Sequence, residues 1–490
     1  MPQLKRRDFL RAGLFGSLAL PAALRGAPAT PPAPTPDSPA VNRAGRARNI
    51  IFLVSDGMSL GTLTLAERHL RMHQNRSTHW LSLYSRPDIR RALMDTSSAN
   101  SLVTDSAAAS SAWGCGHKVK NGSLNVTPEG VSRPTIMRLA RENGRATGLV
   151  STATITHATP AGFAANNSFR GDEADIASQY LDLRIDTLLG GGAQYFTPAK
   201  RKDGRELFDE FQRAGYHVAR DYDSLCAAPA DGPLLGIFTE GHLPFDLDHR
   251  ADPAQLSTIP RLPDMARAAI NRLSRAPDGF VLQIEGARVD HAAHLNDIGG
   301  LLHDQLAFDE AIGAAIEFAA GRDDTLVIVT SDHGNANPGL NGAGGSFDSR
   351  GGSYGDTEKC FKRIAGFRRT NSAILSPLNA ESTPAQISER VAEGTGITLA
   401  DDDLELLSRA LRKDPAPREG YRVRNAPLIT FAQILANYIA VGWTGTQHTT
   451  DFVELCAFGP GSEPIQGLIQ NTDLFGIMTH AIGATTLPAV

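Results

Sequence analysis

Carboxylates, imidazoles and one hydroxyl recur in this chain at spacings that suit metal-assisted group transfer. After Glu285 come Asp290 and His294, and a helix there would carry the last two at i and i+4 on one face, pointing the same way. Asp332-His333 forms a second pair, and His448 stands in a loop rich in Gly and Thr. Imidazole with carboxylate suits Zn²⁺, whereas a carboxylate-rich pocket with a hydroxyl suits Mg²⁺. Thr104-Asp105-Ser106 runs into Ala-Ala-Ala-Ser-Ser-Ala, small residues compatible with a helix. Ser106 then sits at a helix N-terminus, where free N–H groups and the dipole favour an anion and help an alkoxide. Two cations roughly 3.5–4 Å apart can stabilise the entering and leaving oxygens of an in-line displacement, and one can lower the pKa of water to about 7. Alone, the Asp/His pair is an ordinary surface contact and the Ser an ordinary N-cap; their conjunction carries the chemical reading.

Strands and helices must bring these groups together. Residues 49–55 (Asn-Ile-Ile-Phe-Leu-Val-Ser) form an unbroken apolar run ending at Asp56-Gly57, as a fully buried parallel strand does. Residues 279–284 end at Glu285 in the same way, and residues 325–330 end at Ser331-Asp332-His333. Helical patterns at 262–273 and 301–320 separate them, the second with Leu302, Leu306, Ile312 and Ile316 at helical spacing. The alternation predicts an α/β fold, a doubly wound, mostly parallel sheet with helices on both faces. In such sheets the carboxyl ends of the strands line one edge where ligands bind, so these distant carboxylates converge there and need a cation. A further strand is expected at 451–458 and an apolar helix at 429–441.

The 490 residues, 41% apolar, can bury a large core, and 47 glycines with 29 prolines suit a loop-rich enzyme. Residues 1–29 carry Lys5, Arg6, Arg7, Arg11 and Arg25 against Asp8, so the net charge of −5 conceals a more acidic body with no basic nucleic-acid platform. Lys5-Arg6-Arg7-Asp8-Phe9-Leu10 precedes an apolar run too short for a permanent membrane anchor. It resembles a twin-arginine signal, with cleavage expected after Ala29, which implies the twin-arginine export machinery and a periplasmic or secreted protein. A linker is expected at 30–47, the first part of the α/β core at 48–335, an inserted accessory (crown-like) subdomain at 336–426 with an acidic helix at 400–411, and the closing part of the core at 427–490. Cys115, Cys226, Cys360 and Cys456 show no short paired spacing; their pairing stays open, and Cys115 and Cys456 read equally well as buried free thiols.

Asp56-Gly57-Met58, Thr104-Asp105-Ser106-Ala107, Glu285-Gly286-Ala287 with Asp290 and His294, Asp332-His333 and His448 together resemble the alkaline phosphatase family. The resemblance runs from Asn49 to the region of Asn471 and is weak across the insertion. It implies that Asp290, His294 and His448 hold one Zn²⁺, that Asp56, Asp332 and His333 hold another, and that Ser106 is phosphorylated between them. It implies a third site, usually Mg²⁺, shared by Asp56, Glu285 and Thr159. Arg170, 11 residues after Thr159, corresponds to the phosphate-binding arginine of the family, with Asp105 orienting it. The implied substrates are phosphate monoesters; a homodimer is left open.

Two positions depart from some bacterial relatives: His157 stands where they carry Asp, and His291 where they carry Lys. Both bear on the third metal, since imidazole near the ion would admit Zn²⁺ or Co²⁺, whereas in an outer position it would leave a weaker Mg²⁺ site. The calcium site of animal relatives is not matched by Phe238-Thr239-Glu240-Gly241. Competing readings are a phosphodiesterase or sulfatase of the same superfamily and a non-catalytic periplasmic protein that binds metal or phosphate. A guanidinium clamp favours a terminal phosphoryl group, Ser106-Ala-Ala-Ala-Ser lacks the sulfatase pattern, and no ligand position of the family is empty.

Overall fold

The computed structural model describes residues 46–344, 354–413 and 426–484. The signal and most of the linker expected at 1–47 lie outside them. The strands of the main sheet are β1 (Asn49–Ser55), β2 (Arg90–Asp95), β3 (Ala146–Thr154), β4 (Thr187–Gly191), β5 (His217–Ala219), β6 (Leu234–Ile237), β7 (Phe280–Gly286), β8 (Thr325–Thr330), β9 (Val453–Phe458) and β10 (Gln466–Gln470). Their order across the sheet is β10-β2-β9-β8-β1-β7-β3-β4-β6-β5. Only β9 runs against its neighbours, pairing antiparallel with both β2 and β8. The sheet is therefore mostly parallel, as the apolar runs predict.

The central strand β1 is buried along its whole length, and its side chains alternate between two cores. Ile51 and Leu53 join Leu282, Ile284, Val327 and Val329 on one face. Ile50, Phe52 and Val54 join Val281, Leu326 and Ile328 on the other. The first face is covered by helices Leu60–Gln74, Leu262–Leu273 and Ile298–Ala319, and the second by Ser106–Cys115, Ala158–Ala164 and Asp473–Ile482. On the second face Phe52 lies 5.1 Å, ring centre to ring centre, from both Trp113 and Phe163. These contacts seat the Ser106 helix on the strand that delivers Asp56.

Between residues 354 and 413 the chain forms short helices, among them Thr357–Lys362, Pro384–Thr395 and Asp401–Leu411. Their apolar residues Phe361, Ile364, Val391 and Leu407 belong to the same buried cluster as Ile51 and Leu53, not to a separate core. The expected apolar helix runs Ala426–Ile439. All four cysteines are free, with Cys115 and Cys456 buried. Among the described residues no helix is long and apolar enough to cross a membrane.

Candidate active site

Strands β8, β1 and β7 are adjacent and in register, with Val54 opposite both Thr330 and Glu285. Their carboxyl ends thus set Asp332, Asp56 and Glu285 side by side, all fully buried. Gly57 turns the chain away at φ 68°, and a Cβ there would come within 2.5 Å of Asp290 Oδ1, so only glycine lets the two segments meet this closely. The helix Arg288–His294 carries Asp290 and His294 on one face, as their spacing predicts. A two-residue antiparallel pairing of His448–Thr449 with Gly334–Asn335 brings His448 in from the far end of the chain.

The side chains gather in three overlapping groups. His294 Nε2 lies 3.1 Å from His448 Nε2 and 3.4 Å from Asp290 Oδ2, and His448 Nε2 lies 3.5 Å from Asp290 Oδ1. The far nitrogens are fixed by backbone carbonyls: His294 Nδ1 donates to Thr446 at 2.7 Å and His448 Nδ1 to Thr104 at 2.9 Å. Both Nε2 lone pairs are left facing the group, the usual arrangement behind a metal-ligating imidazole. His333 Nε2 stands 3.2 Å from Asp332 Oδ2 and 3.6 Å from Asp56 Oδ1. Its ring stacks on His448 at 3.6 Å, so it borders both groups. The third group joins Asp56 and Glu285 to His157, whose ligand atoms lie within 4.8 Å of one another. The sequence leaves open whether His157 stands next to the third ion or outside it; the structure brings it beside the carboxylates. Thr159 is fully buried with its Oγ1 unpartnered.

Electrostatics explain why these groups fit cations. Both oxygens of Asp56, Oε1 of Glu285 and Oδ2 of Asp332 are buried without a hydrogen-bond donor. Burial, followed by repulsion from Asp332, Asp290 and Glu285, pushes Asp56 well above the carboxylate range. Burial raises Asp332 to about 8 although the Gly57 N–H opposes it, and raises Glu285 to about 7 against the hydroxyl of Ser151, which donates at 2.5 Å. Burial also acts on Asp290, but His294, His448 and His333 outweigh it and hold that carboxylate well below its usual range. Burial and then the charge of His448 keep His333 neutral, with its lone pair available. Carboxylates crowded in this way can ionise together only around positive charge, and metal coordination by Asp and neutral His supplies it.

Ser106 is the first residue of the helix Ser106–Cys115, and the N-cap is Asp105, whose side chain accepts from Ala108 N–H. Ser106 Oγ lies 3.3 Å from His333 Nε2, at the edge of the metal-fitting groups. The second oxygen of Asp105 accepts from Gly122 N–H at 2.9 Å and from Arg170 Nη1 at 3.0 Å. Arg170 Nη2 donates to His157 Nε2 at 3.1 Å. The guanidinium is thereby held from two sides near Ser106.

Other site residues had no strong local signal. Asn335 donates to Asp290 Oδ1 at 2.6 Å, and its position two residues after His333 was the one available cue. Ser151 on β3 reaches Glu285 through strand pairing alone. His242 and His291 have ring centres 4.6 Å apart, and each lies 5.6 Å from His157. Arg288 Nη1 donates to His291 Nδ1 at 2.8 Å, closing a histidine cluster behind the third group. Burial, then Arg170 or Arg288, keeps His157 and His291 well below the imidazole range; the same causes, burial and Arg288, lower His242 to about 4.

Comparison with known proteins agrees along most of the chain. A family profile described as Alkaline phosphatase matches residues 47–359. Alkaline phosphatase 3 of Bacillus subtilis (strain 168) is 32% identical over 442 residues, covering 87% of this chain and 87% of its own. Streptomycin-6-phosphate phosphatase of Streptomyces griseus is 33% identical over 358 residues, covering 61% of this chain and 76% of its own. The crystal structure of Thermus thermophilus alkaline phosphatase superposes with a TM-score of 0.82 at 36% identity, covering 90% of this chain and 92% of that one.

Proposed function

The chain belongs to the alkaline phosphatase family and is a phosphoric monoester hydrolase, and we propose that it works through a phosphoserine on Ser106 with two Zn²⁺ and a third ion, Mg²⁺. Asp290, His294 and His448 would hold one zinc, and Asp56, Asp332 and His333 the other. Asp56, Glu285 and Thr159 would hold the third ion, with His157 beside it. Bound there, the cations would stabilise the charge on the entering and leaving oxygens of an in-line displacement and make water nucleophilic near neutral pH.

The chain's own groups do the rest. The helix N-terminus offers unpaired N–H groups beside the Ser106 hydroxyl, favouring its anionic form and an approaching phosphate. As Ser106 Oγ bonds to phosphorus, the bond to the ester oxygen breaks on the opposite side and the alcohol departs. Arg170, steadied by Asp105, can present two parallel donors to the non-bridging oxygens, which suits a terminal phosphoryl group better than a diester. Water then attacks the phosphoserine, and inversion at each of two steps gives net retention at phosphorus.

The observation that carries this reading is Ser106 Oγ at 3.3 Å from His333 Nε2, beside buried carboxylate oxygens that lack donors. The same reading takes residues 1–29 as a twin-arginine signal, the mature enzyme as periplasmic or secreted, and residues 336–426 as an accessory element at the rim. The test is hydrolysis of a chromogenic phosphomonoester with and without chelator, combined with acid-quench labelling of the enzyme by phosphate. Turnover should vanish with chelator, and Ser106→Ala should remove the label and lower turnover by roughly three orders of magnitude or more. A label that survives in Ser106→Ala would overturn the mechanism.

A further inference from the structure

The two most exposed large apolar side chains among the described residues, Leu102 at 77% and Phe169 at 59%, stand on segments that lead into the candidate site. Leu102 lies just ahead of Asp105-Ser106, and Phe169 immediately precedes Arg170. Single exposed apolar residues are ordinary on a protein surface. These two differ in being fastened.

Asn121 N–H donates to Asn100 Oδ1 at 2.9 Å, its Nδ2 donates to the Val103 carbonyl at 3.0 Å, and its Oδ1 accepts from Asp105 N–H at 3.2 Å. The next residue, Gly122, accepts from Arg170 N–H at 2.7 Å through its carbonyl and donates its own N–H to Asp105. The loop bearing Leu102 and the loop bearing Phe169 are thus tied to one dipeptide. Thr450 Oγ1 also donates to the Leu102 carbonyl at 3.2 Å, while Thr104 holds His448, so the Leu102 loop is joined to the edge that delivers His448 as well. The Phe169 ring lies against Gly171: a Cβ there would sit 2.5 Å from ring atom Cε1. Two apolar side chains left in water on loops whose backbones are fixed next to a polar cleft offer a surface to an apolar partner.

We propose that Leu102 and Phe169 form a leaving-group subsite that favours phosphate monoesters of aromatic or similarly large apolar alcohols. This rests on Ser106 as the nucleophile. Ser106 is buried, so in-line attack directs the departing oxygen outward, and its substituent must pass the rim beside Arg170. An apolar substituent covers the two side chains there, whereas a small polar one leaves them in water. The phosphoryl group meets the same charged cleft in both cases, so discrimination falls on binding and KM, not on the chemical step.

The test measures, by calorimetry on the metal-loaded protein, binding of 1-naphthylmethylphosphonate and methylphosphonate to wild type, Leu102→Ser and Phe169→Ser. It is paired with kinetics on 1-naphthyl phosphate and glycerol 2-phosphate. The naphthyl ligand should weaken about tenfold in the variants while methylphosphonate stays within about twofold, and KM for 1-naphthyl phosphate should rise likewise. Equal changes for both ligands, or none, would overturn the subsite. So would a change of oligomeric state in sedimentation with unaltered phosphonate binding, since the patch would then contact a second copy of the chain. Loss of all turnover in wild type with intact discrimination between the phosphonates would instead strike at the phosphatase mechanism.

Discussion

Two groups of buried carboxyls sit in this chain, and the protein satisfies them differently. In the first, Asp56, Glu285 and Asp332 account for every buried carboxylate oxygen among the described residues that lacks a hydrogen-bond partner. In the second, Asp246 receives Arg261 at 2.7 and 3.2 Å, Asp297 receives the N–H groups of Gly300 at 3.0 Å and Ser372 at 3.3 Å, and Asp304 receives Asp246 N–H at 3.1 Å. Burial raises acids in both: Asp297 to about 7 and Asp304 well above its usual range, just as it raises Glu285 and Asp332. A displaced pKa therefore does not separate a metal cleft from a structural knot. Carboxylate oxygens without any donor do, because only a cation completes them; Asp290, which takes an Asn335 N–H on Oδ1, is set apart instead by the imidazoles around it.

The sharpest way to break this comparison is to neutralise one acid from each group. Asp332→Asn should lower phosphomonoester turnover about a thousandfold or more, while Asp304→Asn, which keeps the acceptor for Asp246 N–H in place of a protonated carboxyl, should leave kcat/KM within about threefold. Comparable losses in both variants would erase the distinction. Stability should respond in the opposite sense. Arg261→Ala strands the buried Asp246 and should cost about 3 kcal/mol in chemical denaturation without altering metal content.

The pH dependence of stability sharpens the contrast further. A carboxyl with a folded pKa above its unfolded value stabilises the fold fully at low pH and loses that contribution as pH rises through the folded pKa. Above about pH 6.5 the buried imidazoles are neutral in folded and unfolded chains alike, so metal-stripped protein should melt at progressively lower temperature from there up through about 8, with Glu285, Asp297 and Asp332 all contributing. Metal loading should reverse the trend for Glu285 and Asp332, since binding needs the ionised form, and leave the share of Asp297 in place. Thermal scans of both forms, with Asp297→Asn as control, check it; a metal-free melting temperature that climbs between about pH 6.5 and 8 would contradict the assignment.

The smallest expected effect lies at the third site. His157→Asp with His291→Lys replaces neutral imidazoles by charged groups and should tighten Mg²⁺ binding about tenfold, leaving zinc content unchanged. Titration of the double mutant decides it, and equal Mg²⁺ affinity would show that these histidines do not tune the site.

Much of the cleft was legible because its acids terminate uninterrupted apolar runs. Residues 49–55, 279–284 and 325–330 predict three buried parallel strands, and the structure places β1, β7 and β8 there as neighbours. The i, i+4 spacing of Asp290 and His294 survives as one helical face, and the small residues after Ser106 become a helix buried along its length. The rest depended on tertiary pairing. Nothing near β9 signals its reversed direction, which follows from the partners it finds in β2 and β8. Within the insertion expected at 336–426, Phe361 and Val391 pack into the buried cluster that holds Ile51 and Leu53, a contact that no local pattern signals. His242 joins His157 and His291 only through folding, so its isolated position carried no cue.

The central claim, that buried carboxylate oxygens left without any donor mark ion sites, is tested most directly by elemental analysis. Wild type, Asp56→Asn and Asp297→Asn would be equilibrated at the same free zinc and magnesium, freed of loosely held ions, and measured for bound metal per chain. The account predicts that Asp297→Asn matches wild type while Asp56→Asn loses both the zinc held with Asp332 and His333 and the third ion. Equal metal content in all three proteins would contradict it.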